Sequence, residues 1–397
     1  KPPFAEGWKE ALTLFTLAAT LRPNLARPPR RPWPKVWQTG ALYFLVGLVS
    51  AVIVGGTQGA VGLKIDYFWF LIAIAVWRQP LNAKDRDRLV SILIVDGVLT
   101  ALYGLWQQVA GAGRLFALGY TYNENIRFTG RFIRSFSSFP TPFNFAYFLT
   151  LVMLVALPVC LEDPRRPRSV AFFVVLPLLL VAQAFTFVRG AWLALVLGLA
   201  YLAIRRYRVL MLAAPIALVA LLFLPGTFST SALATGSFTE RRVGWVDNIS
   251  KVVSNPLGNG IGLTGASGAK VQQVDKNAAG FVYEPDNQYF KALYELGVIG
   301  LWALLLFFVS ILLSLRRAER HLTGPEHALA LGVTANFIGA LAAAAISTWL
   351  EISPNETFLW LFLAVVLTAE LESATTARGT PVEPSQVSTT WPALESS

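Results

Sequence analysis

Four stretches hold the residues whose types and spacing could do chemistry. Arg189 interrupts the apolar run FTFVRGAWLALVLG (185–198), and Arg241 and Arg242 stand side by side in FTERRVGWVDNISKVVSNPLGNGIG (238–262). Asp286 opens PDNQYFKALYELGVIG (285–300), and Arg127, Arg131 and Arg134 are interleaved with aromatics in NENIRFTGRFIRSFSSFPTPFNFAYFL (123–149). Guanidinium groups grip phosphate oxygens through paired N–H donors, so the arginines are candidate anion ligands. Each has a plainer reading beside that one: Arg189 as a snorkelling turn residue, Arg241 and Arg242 as a solvated pair. Gly190, next to Arg189, permits close backbone approach. Asp286 reads either as a helix N-cap or as a carboxylate that deprotonates a substrate hydroxyl, with Glu284 as a neighbour able to take that role. Asn287 and Tyr289, in the first turn of the same helix, are further candidate substrate contacts, and Lys291 and Glu295 form an i,i+4 pair of opposite charge. The spacing over Thr239–Ser254 predicts a helix that NPLGNGIG ends; that glycine-rich turn matches no phosphate-loop pattern.

The elements that must position these residues are hydrophobic helices. Of 397 residues 55% are hydrophobic and 14% charged, and the mean hydropathy is +0.54. Soluble domains carry about 25% charged residues, so the composition excludes an ordinary soluble domain and predicts an all-α polytopic membrane protein. Residues 4–21 read as either a span or an interfacial helix. The cationic, proline-rich 22–35 follows. Spans are expected at roughly 38–56, 62–77, 88–112, 140–161, 169–188, 190–204, 209–225, 291–314, 328–349 and 356–372, each needing about 20 apolar residues. The cation-rich connections 78–88, 162–168, 205–208 and 315–327 then all fall on the side of 22–35, as the positive-inside rule requires. By the same count 113–139, the turn at Arg189, 226–290 and 350–355 lie outside. The net charge of +10 is thereby read as topology signalling rather than nucleic-acid binding. Three outer arginine clusters, set against that bias, converge on one requirement, a strongly anionic ligand at the outer face.

One cysteine excludes an intrachain disulfide. Both histidines, His321 and His327, fall on the inner side, and no zinc spacing, Gly-x-Ser-x-Gly, phosphate loop or dinucleotide motif occurs. No cleavable signal peptide is apparent, and a chain beginning at Lys1 rather than Met is expected to lack a few residues.

Taken together, FVRGAWLAL at an outer turn, Arg-x-x-x-Trp followed by NPLGNGIG, and DNQYFKALYELGVIG resemble the O-antigen ligase/polymerase family of bacterial membrane glycosyltransferases, in order over roughly 120–300. The resemblance implies a GT-C-like fold of about 10–12 transmembrane helices in the bacterial inner membrane, with a large periplasmic loop carrying the site. It divides the chain into an N-terminal bundle (1–225), the periplasmic loop (226–290), C-terminal helices (291–372) and a cytoplasmic, disordered tail (373–397). It also implies transfer of a glycan from an undecaprenyl-diphosphate carrier to a sugar hydroxyl, with inversion and with neither metal nor other cofactor. The family's ligase motif resembles His-Asn, nine residues, then Gly-x-x-Gly; here Asp286-Asn287 precedes Gly297-Val298-Ile299-Gly300 at that spacing. With aspartate in place of histidine the expectation leans to a polymerase; the alternative is a ligase joining the glycan to lipid A-core. The two functional arginines map to Arg189 and to Arg242 or Arg241, holding the diphosphate while Asp286 deprotonates the acceptor and Arg127 and Arg131 steer a substrate. A lipid-linked-oligosaccharide flippase, the rival reading, should carry charges deep within several spans; Asp96 is the clearest one.

Overall fold

In the computed structural model, which describes residues 7–21, 34–123, 125–212, 255–274 and 287–377, the chain is a bundle of helices with one two-stranded hairpin. The helices are α1 (Trp8–Thr20), α2 (Lys35–Val54), α3 (Gly56–Tyr67), α4 (Phe70–Arg78), α5 (Ala83–Ala117), α6 (Pro142–Glu162), α7 (Pro167–Phe185), α8 (Arg189–Arg205), α9 (Gly265–Val274), α10 (Gln288–His321), α11 (Gly324–Ala344) and α12 (Asn355–Ala377). Strands β1 (Phe128–Thr129) and β2 (Phe132–Ile133) pair antiparallel between α5 and α6. Among the described residues, 7 helices are long and apolar enough to cross a membrane, or 8 if the bent pair α3 and α4 counts as one span. The protein is a multi-pass membrane protein.

The centre is α6, buried almost continuously from Phe145 to Cys160, with α8 and α11 against it. Small residues let these backbones touch: a Cβ on Gly339 would lie 2.5 Å from the Ala194 carbonyl oxygen, and one on Gly332 would lie 2.8 Å from that of Leu154. Such approach supplies packing where lipid removes any hydrophobic drive between helices.

Several expected spans differ in form. The run 62–77 is not one helix but α3 and α4, bent by 51°; Asp66, near the end of α3, faces the buried Lys291, and so α3 turns towards that partner. The span at 190–204 is the 17-residue α8, and of 209–225 only the turn through Leu212 is described. The helix α1 has 13 residues, about 20 Å at 1.5 Å per residue, and its Glu10 pairs with Lys64 of α3 at 2.7 Å.

The grouping of loops holds. Arg86 at the start of α5 pairs with Glu326 of α11 and Glu372 of α12. Asp87 pairs with Arg166 and Arg168 of the 162–168 connection. Arg206 pairs with Glu162, Arg205 with Glu319, and His321 with Glu370. All four cation-rich connections therefore meet in one belt of ion pairs at one end of the bundle, which also holds His321 and His327. The arginine-bearing turn and hairpin lie at the opposite end, with the start of α10.

Candidate functional site

The site begins with two glutamines on α5. Buried Gln107 accepts the Phe136 and Ser137 amides and donates to the Ser137 carbonyl, while Gln108 donates to the Ile133 carbonyl and Ser135 Oγ. The loop after the hairpin is thereby laced to a membrane helix. From it the Ser135 amide donates to the Phe185 carbonyl at 2.9 Å, and the Phe132 ring packs on Phe185 and Phe187. The hairpin thus covers the turn that carries Arg189.

That turn is strained. Phe187 has φ 54°, a left-handed conformation that costs an aromatic residue about 1–3 kcal/mol and persists only where its surroundings over-determine it. Arg189 follows as the first residue of α8, where the helix dipole adds positive potential. Gly190 has a packing reason: its Cβ would lie 2.6 Å from the Tyr147 hydroxyl and 3.0 Å from Ile346.

Arg134 is the residue that the sequence reading leaves out of its proposed site. It is half-buried, donates from Nε to the Thr186 carbonyl at 3.2 Å and lies over the Phe143 ring at 5.3 Å. Burial first, then the charges of Arg127 and Arg189, pull its pKa down to about 10. Among the described residues no carboxylate pairs with it. The signal for it is present, since it shares a segment with Arg127 and Arg131. The hairpin that separates their roles is missed, although FTGRFI places a glycine (Gly130, φ 57°) between short apolar-bearing runs. Arg127 donates to the Asn123 carbonyl at 3.0 Å, and Arg131 is exposed over the Phe132 ring. Arg127, Arg134 and Arg189 form one cationic cluster, and Arg131 stands at its exposed edge.

The start of α10 shares this end. Tyr289 donates its hydroxyl to the Leu341 carbonyl at 2.9 Å, and Gln288 accepts the Leu350 amide at 3.1 Å. Ile346 of the same connection abuts Gly190, and Ser347 meets Tyr147 at 3.2 Å. The Arg189 turn and the α10 start therefore flank a single segment, 341–350. The helix cap is corrected here: Asn287, not Asp286, caps α10, accepting the Tyr289 and Phe290 amides on Oδ1. An asparagine side chain reaches the second and third amides beyond it, so the cap sits one residue later than expected. Asp286, Glu284, Arg241, Arg242 and the helix expected over Thr239–Ser254 lie outside the described residues.

The two glycine motifs explain each other. Within α10, Gly297 has φ 67° and breaks the helix, which frees carbonyls that would otherwise accept within it. NPLGNGIG fills the break: the Asn259 amide donates to the Tyr294 carbonyl, the Gly260 amide to that of Glu295, and Val298 N–H to that of Pro256, at 2.9, 2.9 and 3.0 Å. NPLGNGIG is a docking loop and not merely a helix stop. It continues into α9, whose first turn donates the Ala266 and Ser267 amides to Glu351. Burial alone would push the Glu351 carboxyl up, but Lys291 at 3.1 Å and those amides outweigh it and hold it below the usual range. A depressed folded pKa contributes stability above the ordinary glutamate value of about 4.3, lost as pH falls through the folded value. The protection factor of the Ala266 and Ser267 amides, with exchange corrected for its own pH dependence, is expected to hold from neutral pH to about 5 and to fall as acid protonates Glu351. Glu351→Gln with the same protection at neutral pH as the wild type would contradict this.

Residues 172–305 match a family model described as O-Antigen ligase. That stretch is similar to the O-antigen ligase domain. The match runs from within α7 through α8 and α9 and into α10 past the Gly297 break, so it contains Arg189 and both glycine motifs. The hairpin arginines precede it. No curated protein matches the chain. Among the described residues no group of three or more His, Cys, Asp or Glu is placed to hold a metal ion.

Proposed function

We propose that the protein moves a glycan from an undecaprenyl-diphosphate carrier to a sugar hydroxyl at the periplasmic face of the bacterial inner membrane, as a surface-polysaccharide polymerase. The observation that carries this reading is the convergence of Arg127, Arg134 and Arg189 beside the α10 start, in a chain whose residues 172–305 match the O-antigen ligase family model. A half-buried cation such as Arg134, with no carboxylate partner among the described residues, is electrostatically expensive. A diphosphate offsets that charge and the two beside it through charge-assisted hydrogen bonds.

In this mechanism Arg189 and Arg134, with Arg242 or Arg241, hold the diphosphate and stabilise the negative charge that grows on it as the glycosidic bond breaks. Asp286 takes the acceptor proton as the hydroxyl oxygen attacks the anomeric carbon from the opposite face, so configuration inverts. The diphosphate leaves with the bonding electron pair. The lipid-linked glycan is already activated, so the residues invoked here need no resident cofactor.

The specific observation favouring the second reading, ligation to lipid A-core, is the description of the matched domain itself. The aspartate at 286 in place of histidine keeps the polymerase first. A flippase is third. The structure adds Asp66, Lys291, Glu295 and Glu351 to Asp96 as charges within or beside helices, a correction to the sequence count; these four pair with one another through Lys291 and gather at the arginine end.

The binding half is tested by thermal unfolding in detergent with a short-chain polyprenyl diphosphate. The wild-type midpoint is expected to rise, and Arg134→Gln to lose most of that rise, since hydrogen bonds to charged groups contribute about 1.5–3 kcal/mol each. Equal stabilisation of wild type and Arg134→Gln would remove Arg134 from the site.

A further inference from the structure

Lys291 is the most enclosed cation among the described residues that no step above uses, 2% exposed. Its ammonium lies 2.8 Å from Glu295 Oε2, 3.1 Å from Glu351 Oε1 and 3.4 Å from Asp66 Oδ2, and it donates to Ser267 Oγ at 2.9 Å. These partners come from four elements: α10 itself, the 349–351 turn, α3 and α9. Two of the carboxylates hold loop backbone with their other contacts. Glu295 Oε1 accepts the Leu263 and Thr264 amides at 2.9 and 2.8 Å, and Glu351 accepts those of Ala266 and Ser267. One ammonium therefore bridges three buried carboxylates, two of which fasten the docking loop.

The loop's place in the chain gives this arrangement a consequence. The segment with Arg241 and Arg242 runs directly into Asn255, where the loop begins, and Asp286 immediately precedes Asn287, the cap of the helix that carries Lys291. We propose that Lys291 is a positioning residue whose buried ammonium pins the 255–274 loop to α10, beside Asn287 and Tyr289 at the start of that helix. The inference rests on the proposed function for its kinetic consequence, while the pinning itself does not. Arg127, Arg134 and Arg189 are anchored separately, through Gln107, Gln108 and Thr186, so donor binding survives loss of the pin and turnover does not. Removing the ammonium leaves buried carboxylates uncompensated, which is far worse than removing a whole ion pair.

The experiment compares Lys291→Met, the double variant Lys291→Met/Glu295→Gln, and Glu351→Gln, each checked for a monodisperse detergent profile. Transfer kinetics with the lipid-diphosphate glycan are paired with a bismaleimide cross-link between Leu257→Cys and Val298→Cys in a Cys160→Ala background. Leu257 and Val298 are 76% and 43% exposed, and the Val298 amide is bonded to the Pro256 carbonyl, so the pair reports docking. Lys291→Met is expected to lose cross-linking and to lower kcat about a hundredfold, the scale of an ångström misplacement, with the donor KM within about threefold. The double variant is expected to recover about tenfold of that kcat, because the amide oxygen that Glu295→Gln introduces keeps the acceptor while the cluster's net charge returns to its wild-type value. Wild-type cross-linking and turnover in Lys291→Met would overturn the proposal, as would a fall in kcat with the cross-link intact and no recovery in the double. If Lys291→Met does not fold, Glu351→Gln decides, expected to weaken the cross-link and overturning the proposal if it does not. A wild-type protein that transfers nothing refutes the functional reading, while the cross-link still decides the pinning.

Discussion

Arg189→Ala is expected to lower the rate of glycan transfer by about 10²–10³, the usual cost of removing one preorganised donor from a developing anion. The size follows from how the residue is held. It starts α8 two residues after a left-handed Phe187, under a hairpin whose Phe132 packs on that ring. A turn held this firmly leaves less to reorganise when charge develops. Its neighbours Arg127 and Arg134 cannot replace it, because each is fixed to a different backbone carbonyl. Arg189→Lys is expected to fall between, keeping the charge but not the paired donors. Single-turnover transfer with saturating donor reads the effect, and an unchanged rate for Arg189→Ala would remove the residue from catalysis.

Gly297→Ala is the second large effect. At φ 67° a Cβ is strained, at about 1–2 kcal/mol, and here it also meets Pro256 O and the Leu257 carbonyl carbon of the docked loop. These are backbone atoms that cannot rotate aside. The loop must therefore leave, exposing the Tyr294 and Glu295 carbonyls that now accept Asn259 and Gly260. The expected result is rapid hydrogen exchange at the Gly260 amide and loss of transfer, with the protein still folded in its membrane helices. Gly258→Ala should behave alike, since its Cβ would lie 2.5 Å from both the Glu295 carbonyl oxygen and the Gly297 amide. The two together should cost less than their sum, because either alone undocks the loop. Protection of the Gly260 amide in Gly297→Ala would show that the loop does not depend on the break.

The parts legible in the sequence are those encoded by long runs or charge. Continuous apolarity announces the membrane helices, and the cation-rich connections announce the belt that Arg86, Asp87, Arg206 and His321 form with their partners. Contacts between distant segments are not legible. Lys291 reads as half of a local i,i+4 pair with Glu295, and only the fold shows Asp66 beside it at 3.4 Å. Gly258 and Gly297 each look like local punctuation, yet each is required by the other's backbone. The hairpin escapes notice because its strands have 2 residues each, too few for alternation to register. Of the candidate site, the sequence points to Arg189 and to Arg127, Arg131 and Arg134 as a cluster but assigns Arg134 no role, since its importance rests on burial against Phe143 and on the charges beside it.

The measurement that tests the central claim most directly uses the purified protein in detergent with a single lipid-diphosphate-linked oligosaccharide and no other acceptor, products being resolved by size. A ladder of longer lipid-linked glycans is the predicted result. Transfer only after lipid A-core is added would make the protein a ligase. No transfer to either acceptor would contradict the account and put the flippase first.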